Sequence, residues 1–337
     1  MIDLSQDDHE VFQLLSRVAS LYYLEEKTQS EVAKELNLSR QKVQRLLRQA
    51  RDLGVVEIHV HSIPVLHVEQ EARLKAIFNL EDVVVAPAHP DEYRCRLSVA
   101  RAAADYLARN LREGYVVAVG LGRNMSEVAN SFRLNNEVNC KFVSAMGGSP
   151  YINEAINPNN IISLMSLRTG GSAQPIYAPA FVESQRARNM LLNQKAVRDS
   201  LELARNADMA MIGIGTPDDE SILVQAGTIS VAEVRRLREA NAVGEVLGNY
   251  FDEQGREVDS DLKTRLIALS LQDLKRIPKV VGVASEKEKT LAIYSALRSG
   301  VLKGLVTDCD NAVRILKLAG VHDLKEDKML LGNPKPK

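Results

Sequence analysis

The chain has 337 residues, with 43 Lys plus Arg against 44 Asp plus Glu and a formal net charge of −1. At ~100–200 residues per domain that length predicts two or three domains and a sizeable buried core. With 45% hydrophobic and 26% charged residues, the composition excludes wholesale disorder, collagen and a disulfide-stapled mini-protein, and near-neutrality argues against bulk coating of nucleic acid but not against a local basic patch.

No run approaches ~18 consecutive apolar residues, so neither a transmembrane helix nor a membrane partner is expected. The start, Met1-Ile2-Asp3-Leu4-Ser5-Gln6-Asp7-Asp8, is acidic and lacks the basic and apolar regions of a signal peptide. Cys95, Cys140 and Cys309 are widely spaced and odd in number. They predict free thiols in a reducing compartment, serving as small buried side chains. A soluble cytoplasmic protein is the expectation.

In chain order, a helix from about Asp8 to Glu25 places Val11, Leu14, Leu15, Val18, Leu21 and Tyr22 on one face. Shorter helices follow over about Ser30–Leu36 and Arg40–Leu53. After Gly54 the run Val55-Val56-Glu57-Ile58-His59-Val60-His61 alternates as a strand does. Periodicity lapses around Ser62-Ile63-Pro64, which places a linker there. A helix over about Val68–Phe78 then leads into short apolar runs at Asp82–Ala86, Val116–Gly120, Lys141–Met146, Ala207–Gly215, Lys279–Ala284 and Gly304–Thr307. Helical patterns separate most of them, at Ser98–Arg112, Met125–Phe132, Val231–Ala240, Glu288–Leu297 and Asn311–Leu318. Buried strands alternating with helices predict an α/β fold with a mostly parallel sheet covered on both faces. The expected division is residues 1–61, a linker and linking helix at 62–78, and a large domain at 79–330. The tail Asn333–Lys337 is expected to fray.

The stretch Thr28 to Leu47 has the steric logic of a helix-turn-helix. Ala33 is small where two helices cross, Asn37 falls where left-handed dihedrals are needed, and Leu38 plugs the corner. Ser39 suits an N-cap, and Val43, Leu46 and Leu47 form the buried stripe of the next helix. The strand at Val55–Val60 would serve as a wing. From Ser39 to Arg51 there are five cations (Arg40, Lys42, Arg45, Arg48, Arg51) and no acid, so the remainder of the chain carries −6. A merely solvated face would mix signs. Arg40, Gln41, Lys42, Gln44 and Arg45 lie near the helix start, where side chains reach base edges. Ser39 and the later arginines, Arg48 among them, suit phosphates. The partner is therefore expected to be double-stranded operator DNA. One such unit neutralises few phosphates, so a homo-oligomer, dimer or tetramer, is expected.

Two glycine-rich turns follow apolar strands in the large domain, at Gly120-Leu121-Gly122-Arg123-Asn124-Met125 and at Gly213-Ile214-Gly215-Thr216. Gly147-Gly148 ends a third strand. A strand ending in glycines and feeding a helix makes an anion cradle, or simply a tight turn. In open α/β sheets ligands sit beyond the carboxyl ends of the strands, so these turns point to one crevice. Gly120-x-Gly122 lacks the third glycine of the dinucleotide fingerprint, and no P-loop is present. Asp218, Asp219 and Glu220 are the candidates for a catalytic acid/base pair, and they read as polar loop residues capping the next element. His59 and His61 share a strand face without an evident third ligand. No catalytic residue, metal or cofactor is expected.

The order and spacing of these pieces resemble the SorC family of bacterial sugar-responsive transcriptional regulators. The resemblance covers Gln29–Leu53, Val119–Met125, Gly213–Gly215, Gly227-Thr228-Ile229-Ser230, Gly244–Gly248, Tyr250–Gly255 and Leu305–Asp308. It implies a winged helix-turn-helix followed by a Rossmann-like α/β effector domain similar to glucosamine-6-phosphate deaminase and ribose-5-phosphate isomerase. It also implies a sugar, polyol or sugar-phosphate effector. Carried onto this chain, the effector would touch Gly120, Gly122, Arg123, Asn124, Gly147, Gly148, Gly215, Asp252 and Lys289. Asp252 suits polyol hydroxyls or is a turn acid, and Lys289 suits a phosphate or is a surface lysine. An enzyme of the isomerase or deaminase type with an accessory DNA-binding domain is the rival class.

Two departures from the family pattern bear on the ligand. Asn124 stands where members often carry Thr or Ser, and Ser285-Glu286 stands where many have a Gly pair. Glu286 and Glu288 place negative charge near the crevice, which repels a phosphate unless Lys287 and Lys289 offset it. An uncharged sugar or polyol therefore stays open.

Overall fold

The structure, a computed structural model, describes residues 6–56, 67–134, 136–149 and 154–321. It comprises two compact units, Met1–Ile63 and Pro64–Lys337. The predicted wing falls mostly outside the described residues, as do the linker at 62–64 and the tail.

The first unit holds α1 (Gln6–Ala19), which runs into a single π-helical turn at Ser20–Leu24, then α2 (Gln29–Glu35) and α3 (Arg40–Asp52). Local side chains set each boundary. Thr28 and Glu31 form a reciprocal capping box at the start of α2. Asn37 takes the turn at φ 54, the left-handed region that Asn tolerates. Ser39 Oγ accepts the Lys42 amide at 3.2 Å and caps α3. Leu15, Val18, Leu21, Val32, Ala33, Val43, Leu46, Leu47 and Ala50 form the core.

The second unit opens with α4 (Val68–Phe78), β1 (Asp82–Ala86), α5 (Glu92–Asn110), β2 (Val116–Val119), α6 (Arg123–Ser131), β3 (Lys141–Ser144), α7 (Pro158–Thr169) and β4 (Ser172–Gln174). It continues with α8 (Gln185–Leu192), α9 (Lys195–Arg205), β5 (Met209–Gly213), α10 (Ile222–Gln225), α11 (Val231–Glu239), β6 (Gly244–Val246) and β7 (Asn249–Phe251). It closes with α12 (Asp261–Arg265), α13 (Leu271–Arg276), β8 (Lys279–Val283), α14 (Thr290–Arg298), β9 (Gly304–Asp308) and α15 (Cys309–Leu318). The six apolar runs predicted as strands correspond to β1, β2, β3, β5, β8 and β9. Among strands, β4 and the antiparallel hairpin of β6 and β7 were not foreseen.

Seven strands form one parallel sheet in the order β1-β9-β8-β5-β2-β3-β4. Its strands are apolar on both faces because both are covered. Val117, Val119, Met209, Met211, Val281 and Val283 pack with Val99, Leu107, Val128, Ile162 and Met165 of α5, α6 and α7. The alternate residues Ala118, Ala210, Ile212 and Val280 share the opposite core with Leu74, Leu201, Leu237, Leu274, Ile293 and Ile315, from α4, α9, α11, α13, α14 and α15. This is the period of two expected of a strand. After β2 the chain returns to β3 on one side. After β5 it returns to the sheet as β8 on the other side. Strand order thus reverses between β2 and β5, which opens a crevice at their carboxyl ends.

Candidate functional site

Two places carry functional chemistry, one in each unit. In the first, burying Val43, Leu46, Leu47 and Ala50 turns the opposite side of α3 outward. Ser39, Arg40, Gln41, Lys42, Gln44, Arg45 and Arg48 are all exposed. Ser39 uses its oxygen as a cap, which leaves its hydroxyl proton free to donate. Lys27, by contrast, is held by Glu25 at 2.8 Å and by Glu35 at 2.6 Å. Those acids neutralise Lys27, so it adds little to the basic face of α3.

In the second unit the crevice at the strand reversal encloses about 100 Å³. Its rim combines Gly122, Arg123 and Asn124 after β2 with Gly213, Gly215, Thr216 and Asp218 after β5. Glu245, Leu247 and Gly248 of the β6–β7 hairpin and Lys289 before α14 complete it. Helix α6 starts at Gly122 (φ 118) without a side-chain cap, so no side chain of its own takes its first-turn amides. Gly215 and Glu245 exchange backbone hydrogen bonds at 3.0 Å in both directions. That pairing brings the Glu245 carboxylate against Gly215, where a β-carbon would stand 2.0 Å from Oε1. Glu245 also accepts the Gly248 amide at 2.7 Å. Burial pushes its carboxyl up, and the Gly248 amide and Lys289 offset this only in part. Asp218 is committed to its own turn, accepting from Thr216 Oγ1 at 2.6 Å and from the Glu220 amide at 2.9 Å.

Beside this rim lies a buried ionic cluster. Glu286, on the turn after β8, is 6% exposed. Its carboxylate accepts from Arg96 Nε at 3.0 Å and from Asn124 Nδ2 at 3.0 Å, and pairs with Lys289 Nζ at 3.0 Å. Burial alone would raise this carboxyl. The charge and hydrogen bond of Lys289, then Asn124 and Arg96, outweigh burial and hold it at about 2. Ser285 donates to Asn124 Oδ1 at 2.9 Å. Asn311 donates to the carbonyls of Ser285 and Glu286 at 3.3 Å. The turn is therefore tied to α6, α5 and α15.

Of the residues expected to touch an effector, Gly122, Arg123, Asn124, Gly215 and Lys289 meet at this crevice. Three do not, and Gly120 lies beneath it. A β-carbon on Gly120 would stand 3.0 Å from Leu247 Cδ2 and 3.3 Å from Ile212 Cα, so this glycine serves packing under the rim. The structure places Gly147, Gly148 and Asp252 away from this crevice. A β-carbon on Gly147 would stand 2.5 Å from the carbonyl oxygens of Ala178 and Pro179, and its amide donates to Ile267 O. Gly148 faces a different depression with Phe181, Thr228 and Arg265. Asp252 caps its own turn, accepting from the amides of Gln254 and Arg256 and from Arg256 Nε at 2.8 Å. Its carboxylate lines a separate surface depression with Asn241 and Val258.

Glu245, Arg96 and the pairing of Glu286 were not identified from sequence. Glu245 appeared only as part of a resembling segment. Arg96 has no local signature, since it sits within an ordinary helical pattern. Among the described residues there is no group of three His, Cys, Asp or Glu side chains that could hold a metal. No described helix is long and apolar enough to cross a membrane.

Comparison with known proteins matches residues 64–317 to the family described as "Putative sugar-binding domain". Residues 4–52 match "Sigma-70, region 4". The chain is 31% identical over 297 residues to the erythritol catabolism regulatory protein EryD of Brucella abortus, covering 88% of this chain and 93% of that one. It is 32% identical over 314 residues to the transcriptional regulator LsrR of an Enterobacter species, covering 91% and 94%. Among solved structures, the "putative sugar-binding domain of transcriptional repressor" from Vibrio fischeri superposes with a TM-score of 0.71 at 34% identity, over 75% of this chain and all 100% of that one. The full-length sorbitol operon regulator SorC of Klebsiella pneumoniae shares the fold, with a TM-score of 0.71 at 23% identity over 93% of this chain and 100% of that one.

Proposed function

The chain belongs to the SorC family of bacterial sugar-binding transcriptional regulators, and from that premise we propose that it regulates a carbohydrate-metabolism operon by binding its operator under the control of a small sugar, polyol or sugar phosphate. One observation carries this reading. An exposed basic helix, without an acid from Ser39 to Arg51, shares a chain with a crevice at the strand reversal of the unit that matches the sugar-binding family.

Arg40, Gln41, Lys42, Gln44 and Arg45 read base edges, while Ser39 and Arg48 hold phosphates. Each protomer offers one short recognition helix, so operator binding uses a dimer or tetramer with half-sites spaced by whole helical turns. With chromosomal DNA as partner, the protein works in the cytoplasm. The effector lies between the turn Gly122–Asn124, Gly215, Glu245 and Lys289. Amides and a carboxylate together suit a ligand whose hydroxyls both donate and accept. The crevice is smaller than the ~300 Å³ at the low end of small-molecule sites, so entry displaces side chains such as Arg123. Differential affinity of the effector for two quaternary arrangements shifts the operator-bound population.

This reading includes no catalysis. The relatives are named as regulators, and Asp218 spends its carboxylate on Thr216 and Glu220. The test enriches genomic duplex fragments on the full-length protein. A restricted set of sequences is expected, lost in Arg45→Ala. Sequence-independent recovery by the native protein would overturn the reading. Turnover of sugar phosphates at enzymatic rates would replace it with the isomerase or deaminase class.

A further inference from the structure

The effector crevice raises a question of charge, and this inference rests on the function proposed above. Arg96 and Lys289, beside the uncapped start of α6, are the kind of cation pair that holds a phosphate at a helix N-terminus. Here the place between them is filled. Glu286 reaches in from the turn after β8, with one oxygen on Arg96 at 3.0 Å and the other on Asn124 Nδ2 and Lys289 Nζ, each at 3.0 Å. The side chain is 4% exposed, against 10% for Arg96 and 15% for Lys289.

The backbone adds a second, independent observation. Glu286 has φ 54, a conformation that costs a residue with a β-carbon and that glycine adopts freely. The turn is held in place by Asn311, Ser285 and Asn124. A glutamate kept at such a position, desolvated and bonded on both oxygens, has its use in the carboxylate itself. We propose that Glu286 is a built-in anion standing in for the phosphate of a ligand, so that the crevice selects a neutral sugar or polyol over its phosphate ester.

The remaining charges agree. Glu286 spends Lys289, and Arg96 is shared with Glu92 at 2.6 Å. Arg123 is the remaining cation on the rim, whose acids are Asp218 and Glu245. A phosphate monoester brings about −1.5 to −2 charges at neutral pH, which one exposed arginine facing two carboxylates does not balance. Neutral hydroxyls donate to Glu245 and accept from the first-turn amides of α6 without that cost.

The test measures binding to the full-length protein by calorimetry and thermal shift. Probes are matched pairs, erythritol with erythritol 4-phosphate, glucitol with glucitol 6-phosphate and ribose with ribose 5-phosphate, together with inorganic phosphate. In at least one pair the neutral member is expected to bind, and its ester at least about tenfold more weakly. Glu286→Gln is expected to narrow or reverse that preference and to gain binding of inorganic phosphate. Glu286→Gly, which suits the positive φ, is a second variant with the same expectation should the first misfold. Tighter binding of an ester than of its neutral partner to the native protein overturns the inference and leaves the regulator reading standing. So does equal binding of inorganic phosphate by native protein and variant. If no probe binds any form of the protein, this inference is overturned, while the regulator reading stands or falls on the recovery of a restricted set of duplex sequences.

Discussion

Replacing Gly215 with alanine tests whether the Glu245 carboxylate is seated in the crevice by the absence of a side chain opposite it. The new β-carbon would lie 2.0 Å from Glu245 Oε1 and 2.9 Å from its Cδ. Ordinary van der Waals separation is about 3.5 Å, so the carboxylate must retreat by about 1.5 Å. That breaks its 2.7 Å bond from the Gly248 amide, worth about 1–3 kcal/mol net. The backbone pairing of Gly215 with Glu245 is untouched, so the fold survives. Gly215→Ala should therefore lower stability by about 1–3 kcal/mol, or about 2–4 °C per kcal/mol in a unit of this size. The discriminating assay is a double-mutant cycle by urea denaturation. In a Glu245→Ala background the same substitution should cost close to nothing, because its clashing partner is gone. An undiminished penalty in that background would refute the argument and place the strain in the backbone.

Gly147→Ala should be the more damaging glycine substitution. Its β-carbon would meet the carbonyl oxygens of Ala178 and Pro179 at 2.5 Å, and backbone cannot step aside as a side-chain tip can, so a loss of about 2–3 kcal/mol is expected in the same urea titration. Arg48→Ala should weaken binding to duplexes of any sequence and reduce the salt slope of log K by about 0.9 for each phosphate that Arg48 neutralises, as read by fluorescence anisotropy across a salt series. Glu286 predicts an acid response. Its folded carboxyl sits at about 2 against an ordinary 4.5, a lowered value, so its contribution is complete above about pH 4.5 and fades as pH falls toward about 2. That difference links about 3 kcal/mol to the ionised form. Stability of the native protein should fall more steeply through this window than that of Glu286→Gln, measured as urea midpoints at successive pH values.

The parts of this protein legible in the sequence are those whose cause is local. The helix-turn-helix could be read because each boundary is set within four residues, by Thr28 with Glu31, by Asn37 in the turn and by Ser39 on Lys42. The six central strands could be read because a sheet covered on both faces makes near-continuous apolar runs. The β6–β7 hairpin escaped notice because its turn passes through Leu247 at φ 52 followed by Gly248 at φ 75, and leucine is not a residue that announces such a turn. Asp252 is ambiguous in the sequence for a related reason. An acid shortly before a glycine looks the same whether it faces a ligand or, as here, closes its own turn onto Gln254 and Arg256.

The selective part of the site has no local cause at all. Arg96 and Asn124 meet Glu286 across 190 and 162 residues of chain, and Gly215 admits Glu245 from a separate hairpin. These partners become neighbours only because β2, β5 and β8 lie side by side and deliver their following turns to one end of the sheet. The strands themselves fix none of the chemistry there: the alternation that buries Val117, Ala118 and Val119 would be served equally by any residue at position 124, 245 or 286. Fold and ligand preference are thus separable in this chain. The sheet supplies an address between β2 and β5, and a few side chains on the turns decide what is accepted there. A substitution at position 286 can therefore change the charge the crevice accepts while leaving the strand pattern that identifies the family as it was.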